Sequence, residues 1–229
     1  AVLAAPAIKL ATEGFPLDAT LRIAIERGVN NLKRFADLGR VYMPNGEVPK
    51  EGEPIRQPQL AATIKAIAQQ GAEVFYRGWI AEAIVDMIKK AGGVMTLDDL
   101  KNYQAVWREP LIGGYRGRTV IAMPPPSSGG VALLQMLNVV EGYKFAEFKH
   151  NSAPYLHLLG ESMKHAFADR AEHLGDPDFV HVPIRKLTDK SYATWVRGRI
   201  VPEKTFAPTY YGYFNYNAEK GSTTHFSVI

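Results

Sequence analysis

The residues best suited to chemistry are the last nine, Gly221-Ser222-Thr223-Thr224-His225-Phe226-Ser227-Val228-Ile229. A threonine freed by a cut just before it carries a hydroxyl beside its own α-amine. That amine has a reference pKa of about 7.7–8.0, so it can take the hydroxyl proton near neutral pH. Thr223 becomes such a nucleophile if the Ser222–Thr223 bond is cleaved, and Gly221-Ser222 is a turn-type junction where the backbone bends sharply. From Thr224 on, Phe226 and Val228 alternate with His225, Ser227 and Ile229, the pattern of a β-strand. An ordinary edge or core strand has the same pattern, so both uses stand open on these residues alone.

Three further groups could carry chemistry. Met123-Pro124-Pro125-Pro126-Ser127-Ser128-Gly129-Gly130 joins an expected strand to an expected helix, where orphan N–H groups and the helix dipole favour an anion. The Lys-Ser/Thr ending of a P-loop is absent, and so is the Gly-x-Ser-x-Gly of a nucleophile elbow. Ser127 or Ser128 as a helix cap, with glycines for close packing, is the structural alternative. His157, His165 and His173 recur at eight-residue spacing. Successive members turn by about 80° around a helix, which is not the tight face of an i, i+4 metal pair. Glu161 with His165 and Asp169 with His173 read as surface i, i+4 pairs. Asp176-Pro177-Asp178 could hold a cation, though capping a turn is the usual task of aspartate there.

The elements that must position these groups are mostly helical. Residues 4–38 read as helix broken near Gly14-Phe15-Pro16, with Asp18 capping the segment that carries Leu21, Ile25, Val29 and Leu32. Residues 40–56 are turn-rich. Helices follow over 59–70 and 80–91, then a short one after Thr96, with Thr96 and Asp99 forming an acidic capping box. Strands are expected at 105–112 and 118–123, joined as a hairpin through Gly113-Gly114-Tyr115-Arg116-Gly117. A helix after Gly130 presents Leu133, Leu134, Leu137 and Val140, and further helices cover 152–174 and 188–200. Residues 201–222 read as an exposed linker.

Composition narrows the class. Of 229 residues, 46% are hydrophobic and 22% charged, a globular balance with ample length for a core. The net charge of +4 is spread among mixed signs rather than gathered in a stripe, so nucleic acid is not an expected partner. The absence of cysteine removes a thiol nucleophile, disulfides and cysteine-ligated zinc. No apolar run reaches a membrane span. The opening Ala1-Val2-Leu3-Ala4-Ala5-Pro6 lacks a basic n-region and an initiator methionine, and the chain stops within a strand pattern, so both ends are expected to lie inside a longer product.

As a set, these stretches resemble the γ-glutamyltransferase (γ-glutamyl transpeptidase, glutathione hydrolase) family of N-terminal-nucleophile enzymes. The resemblance rests on Glu73-Val74-Phe75-Tyr76-Arg77-Gly78, Tyr115-Arg116-Gly117, the Met123-to-Gly130 block, Ala168-Asp169-Arg170, Leu174-Gly175-Asp176-Pro177-Asp178-Phe179 and Thr223-Thr224-His225-Phe226-Ser227-Val228. It implies an α+β fold, part of a four-layer αββα sandwich that is predominantly helical in this segment. Residues 1–222 would belong to the large subunit and 223–229 would start the small one.

It further implies a proenzyme that cuts itself at Ser222–Thr223. Thr223 then attacks a γ-glutamyl compound such as glutathione, and the acyl group passes to water, an amino acid or a dipeptide, without metal or organic cofactor. The family's substrate-binding arginine lies upstream of the matched region, and most of the small subunit lies downstream. The 229-residue chain alone is therefore expected to be inactive. N-terminal-threonine acylases for cephalosporins or oxamate share the same blocks, and an inert scaffold segment is the reading from another class. Thr224, His225, Ser127 and Ser128 carry no catalytic role in this expectation. The family's usual location, periplasmic or secreted, is expected for the parent.

Overall fold

The computed structural model describes residues 2–212. The chain divides into two compact units, Ala1–Ala105 and Val106–Ile229, within the span that the sequence reading treats as one segment.

In the first unit the break at Gly14-Phe15-Pro16 is real. Helix α1 (Ala5–Glu13) ends at Gly14, whose φ of 94° suits glycine, and strand β1 (Phe15–Pro16) follows. Helix α2 (Ala19–Arg34) is capped as expected: the Asp18 carboxylate accepts from the Leu21 N–H at 2.7 Å. Helix α3 (Ala36–Tyr42) leads to strand β2 (Pro54–Ile55), which pairs antiparallel with β1. Leu17, Ile25, Met43 and Ile55 close one core, with Leu21, Val29 and Leu32 packed on it at helical spacing. Helices α4 (Pro58–Gln70), α5 (Glu73–Tyr76), α6 (Trp79–Lys90) and α7 (Leu97–Lys101) complete the unit. Thr96 and Asp99 form both halves of the capping box. The Glu73-to-Gly78 motif places Val74 in a second core with Ala66 and Ile80, while Arg77 pairs with Glu73 at 2.8 Å on the surface.

The second unit opens with a hairpin that corrects the expected register. Strand β3 is Leu111–Tyr115 and β4 is Arg118–Ala122, so residues 105–110 are not strand and Gly113-Gly114 lie inside β3. The turn is Arg116-Gly117 alone. Both residues have positive φ, 48° and 75°, the geometry of a two-residue turn that matches strand twist. Glycine serves β3 because a β-carbon at Gly113 would lie 2.5 Å from Leu134 Cδ2, beneath the hairpin.

Helix α8 (Gly129–Glu141) packs on the hairpin, on α9 (Ala153–His173) and on α11 (Lys190–Arg199). A helix with so many packing partners buries residues around much of its girth. Val131, Ala132, Leu134, Val139 and Val140 are buried, but Leu133, expected on the apolar face, is exposed. A short helix α10 (Ile184–Leu187) precedes α11. Val139, Leu158, Ala193, Val196 and Ile200 form the core of this unit.

Candidate functional site

The expected nucleophile Thr223 and its neighbour Ser222 lie outside the described residues. The structure gives the surroundings of the other three groups and of residues 201–212.

Helix α9 carries all three histidines, and they go separate ways. His157 Nε2 lies 2.9 Å from the Val201 carbonyl oxygen. His165 is buried, and its Nε2 has no hydrogen-bond partner among the described residues. Among the described residues no group of three or more His, Asp or Glu converges as a metal site.

The expected surface pairs on α9 are corrected. Glu161 is 1% exposed and Asp169 is 8% exposed, because Leu158, Glu161, Ser162, His165, Ala166 and Asp169 form one stripe at i, i+3, i+4 spacing that faces inward. Asp169 accepts from the Tyr192 hydroxyl at 2.9 Å and from the Gln135 amide. Burial and the neighbouring carboxylate raise the Tyr192 phenol far above its ordinary value, so it stays a donor.

Glu161 accepts three hydrogen bonds from the described residues. Its Oε1 accepts from Lys164 Nζ at 2.7 Å and from Thr205 Oγ1 at 2.8 Å, and its Oε2 from the Tyr211 hydroxyl at 2.6 Å. Burial pushes its pKa up, but hydrogen bonds from Lys164, Tyr211 and Thr205 outweigh that and hold it below the ordinary carboxylate value. Lys164 answers in the opposite direction: burial lowers it, the Glu161 carboxylate raises it more, and it remains protonated.

Residues 201–212, expected as exposed linker, are therefore pinned. Pro208–Tyr210 form a single 3-10 turn, and Phe206, Tyr210 and Tyr211 are half-buried. The Tyr210 hydroxyl donates to the Arg199 carbonyl at 2.8 Å, and the Phe206 and Tyr210 rings stack at 4.1 Å. Aromatic residues without period look like a linker by pattern, yet each has a flat face and a polar tip that need partners.

His165 sits under this segment, edge-on to the Tyr211 ring at 4.9 Å, with Asp169 and Glu161 favouring its charged form and Arg199 opposing it. Burial prevails, then the Arg199 charge, so its pKa falls below the ordinary 6.5. The unfolded chain then binds the proton more readily than the folded one. Stability should fall as pH drops below 6.5. Thermal melts of the parent protein between pH 8 and pH 5 check this: His165→Phe, which keeps the ring contacts, should flatten the decline. A decline of equal slope in the variant would remove His165 from the account.

The Pro124-to-Gly130 block sits at the mouth of α8. Ser128 occupies the cap position, yet its side chain makes no cap bond to the helix; its Oγ accepts from Arg170 Nε at 2.8 Å instead. A polar cavity of about 200 Å³ beside it is lined by Pro126, Ser128, Arg170 and Leu174. The packing role of the glycines is direct: a β-carbon at Gly130 would stand 2.0 Å from the Met123 carbonyl oxygen. Asp176 and Asp178 close a turn, the Asp178 N–H donating to Asp176 Oδ1 at 3.0 Å. The cation they face is the Arg108 guanidinium, 2.6 Å from Asp178 Oδ2.

The structure superposes on γ-glutamyltranspeptidase of Helicobacter pylori with a TM-score of 0.84 and 34% identity, covering 97% of this chain and 64% of that one. The fold is thus that of the N-terminal-nucleophile γ-glutamyltranspeptidases and acylases, α+β and predominantly helical in this segment. In sequence the chain is 38% identical over 230 residues to the glutathione hydrolase proenzyme of Escherichia coli (strain K12), spanning 98% of this chain and 39% of that protein. It is 39% identical over 225 residues to the acylase ACY 1 proenzyme of Pseudomonas sp. (strain V22), with 97% and 39% covered. Residues 1–229 match the family described as Gamma-glutamyltranspeptidase, and the chain belongs to that family. It spans 39% of the length of the relatives just named.

Proposed function

We propose that the parent protein is a self-processing γ-glutamyl transferase and hydrolase, acting on glutathione and related γ-glutamyl amides through Thr223. Membership of the family carries this reading, together with the Thr223-Thr224-His225 run that follows the Gly221-Ser222 turn junction. In self-cleavage the Thr223 Oγ attacks the Ser222 carbonyl carbon. The Ser222–Thr223 C–N bond breaks, the nitrogen takes the hydroxyl proton and becomes the α-amine, and water hydrolyses the resulting ester. In turnover that amine accepts the Thr223 hydroxyl proton while Oγ attacks the γ-carbonyl of the substrate. The leaving amine departs protonated, and the acyl ester passes its γ-glutamyl group to water, an amino acid or a dipeptide.

The partners of this chain are then the small-molecule donor and acceptor and the small subunit headed by Thr223. No helix among the described residues is long and apolar enough to cross a membrane. The periplasm or the exterior of the cell is the proposed location, as for the family at large.

The acylase reading keeps the same nucleophile, and the likeness to an acylase proenzyme favours it as the second candidate. A chromogenic γ-glutamyl anilide and a glutaryl amide, each offered to the purified parent, separate the two. Release from the first alone supports γ-glutamyl transfer; release from the second alone overturns it in favour of the acylase.

A further inference from the structure

The carboxylate of Glu161 is costly to bury, and a buried ion pair is weak grounds for stability but good grounds for fixing one arrangement among several. Here the arrangement fixed is the course of residues 205–211. Thr205 and Tyr211 come from that segment and Glu161 and Lys164 from α9, so the network ties the segment to the helix at both of its ends. The Tyr211 hydroxyl also receives the Phe206 N–H at 3.2 Å, which closes the segment on itself. Arg199 adds a second tie near its end, donating to the Tyr210 carbonyl. Nothing in the chemistry of Thr223 uses these groups.

We infer that Glu161 and Tyr211 are positioning residues for self-cleavage, holding the segment that delivers the Ser222–Thr223 bond to its place of reaction. The inference rests on the self-cleavage reading above. Opening the clasp frees Thr205 and Tyr211 from Glu161, while Tyr210 stays tied to Arg199. Lost orientation slows the attack, since a misplacement of about 1 Å can cost 10²-fold. Once the bond is cut, the segment no longer leads to Thr223, and the clasp should cease to matter.

The experiment follows the full-length parent by intact mass from synthesis onward, comparing wild type with Tyr211→Phe, Glu161→Gln and Thr205→Val. The expected result is cutting at Ser222–Thr223 slowed about tenfold to 10²-fold in Tyr211→Phe, the scale on which small misplacements act. Its turnover per mature Thr223-headed subunit should match wild type. Tyr211→Phe retains the ring contacts and loses only the hydroxyl, so it guards against a variant that fails to fold. Cutting at the wild-type rate in Tyr211→Phe and Thr205→Val overturns the inference while leaving the proposed function intact. Equal losses in cutting and in mature turnover also overturn it, since they mark a merely structural role. A wild-type parent that never cuts there overturns the proposed function and this inference with it.

Discussion

Thr223→Ala in the full-length parent should leave a single uncut polypeptide and no measurable release from a γ-glutamyl anilide. Alanine has no hydroxyl to accept the acyl group, so both the N-to-O shift and the acyl-enzyme are lost together. Removing a nucleophile of this kind from a hydrolase costs on the order of 10⁶ in rate. Thr223→Ser should retain part of both activities, because the hydroxyl survives while the β-methyl that restricts its rotamer is gone. Intact mass and N-terminal sequencing of the two variants read this out. Cutting at Ser222–Thr223 in the alanine variant would exclude Thr223 as the nucleophile of self-cleavage.

Among the described glycines of the second unit, Gly130→Ala should be the most damaging change to alanine. The new β-carbon would meet the Met123 carbonyl oxygen at 2.0 Å, and that oxygen belongs to backbone just after β4. Neither the first turn of α8 nor the end of the hairpin can turn aside as a side chain would, so the two must part. Overpacking costs typically 1–3 kcal/mol, and contact with backbone puts this site at about 3 kcal/mol. For a unit of this size that lowers Tm by roughly 6–12 °C. Gly129→Ala is the control, since a β-carbon there has its nearest contact at 3.8 Å, with Ser127 Oγ. Equal melting of the two variants would show that the close approach at Gly130 carries no weight.

Helices with strong punctuation were legible in the sequence. Asp18 before α2, the Thr96 and Asp99 box before α7, and Gly14 after α1 each act through a local hydrogen bond or a backbone preference that needs no tertiary partner. The hairpin was legible as a hairpin but not in register. Gly113-Gly114 suggest a turn by type, and only the packing of Leu134 beneath them explains glycine in a strand.

The stripe of Glu161, His165 and Asp169 looks solvated by pattern and is buried for a related reason. Charged residues at i, i+4 fit a solvated face equally well, and their neighbours decide the matter. Leu158, Ser162 and Ala166 lie on the same stripe and are apolar or small, which is the signal that marks it as buried. The partners that make those charges tolerable come from residues 205–211 and from Tyr192 and Gln135, distant in sequence. No local pattern could supply them. The proposed nucleophile rests on residue type and position alone, through the Gly-Ser-Thr-Thr-His run, and lies outside the described residues.

The most direct measurement is the intact mass of the Thr223-headed polypeptide from the wild-type parent, quenched in acid during turnover of a γ-glutamyl anilide. The account predicts a population heavier by one γ-glutamyl group, with the added mass mapping to Thr223 on fragmentation and vanishing when the substrate is exhausted. A γ-glutamyl group found on another residue, or anilide released by a parent whose Ser222–Thr223 bond remains intact, would contradict it.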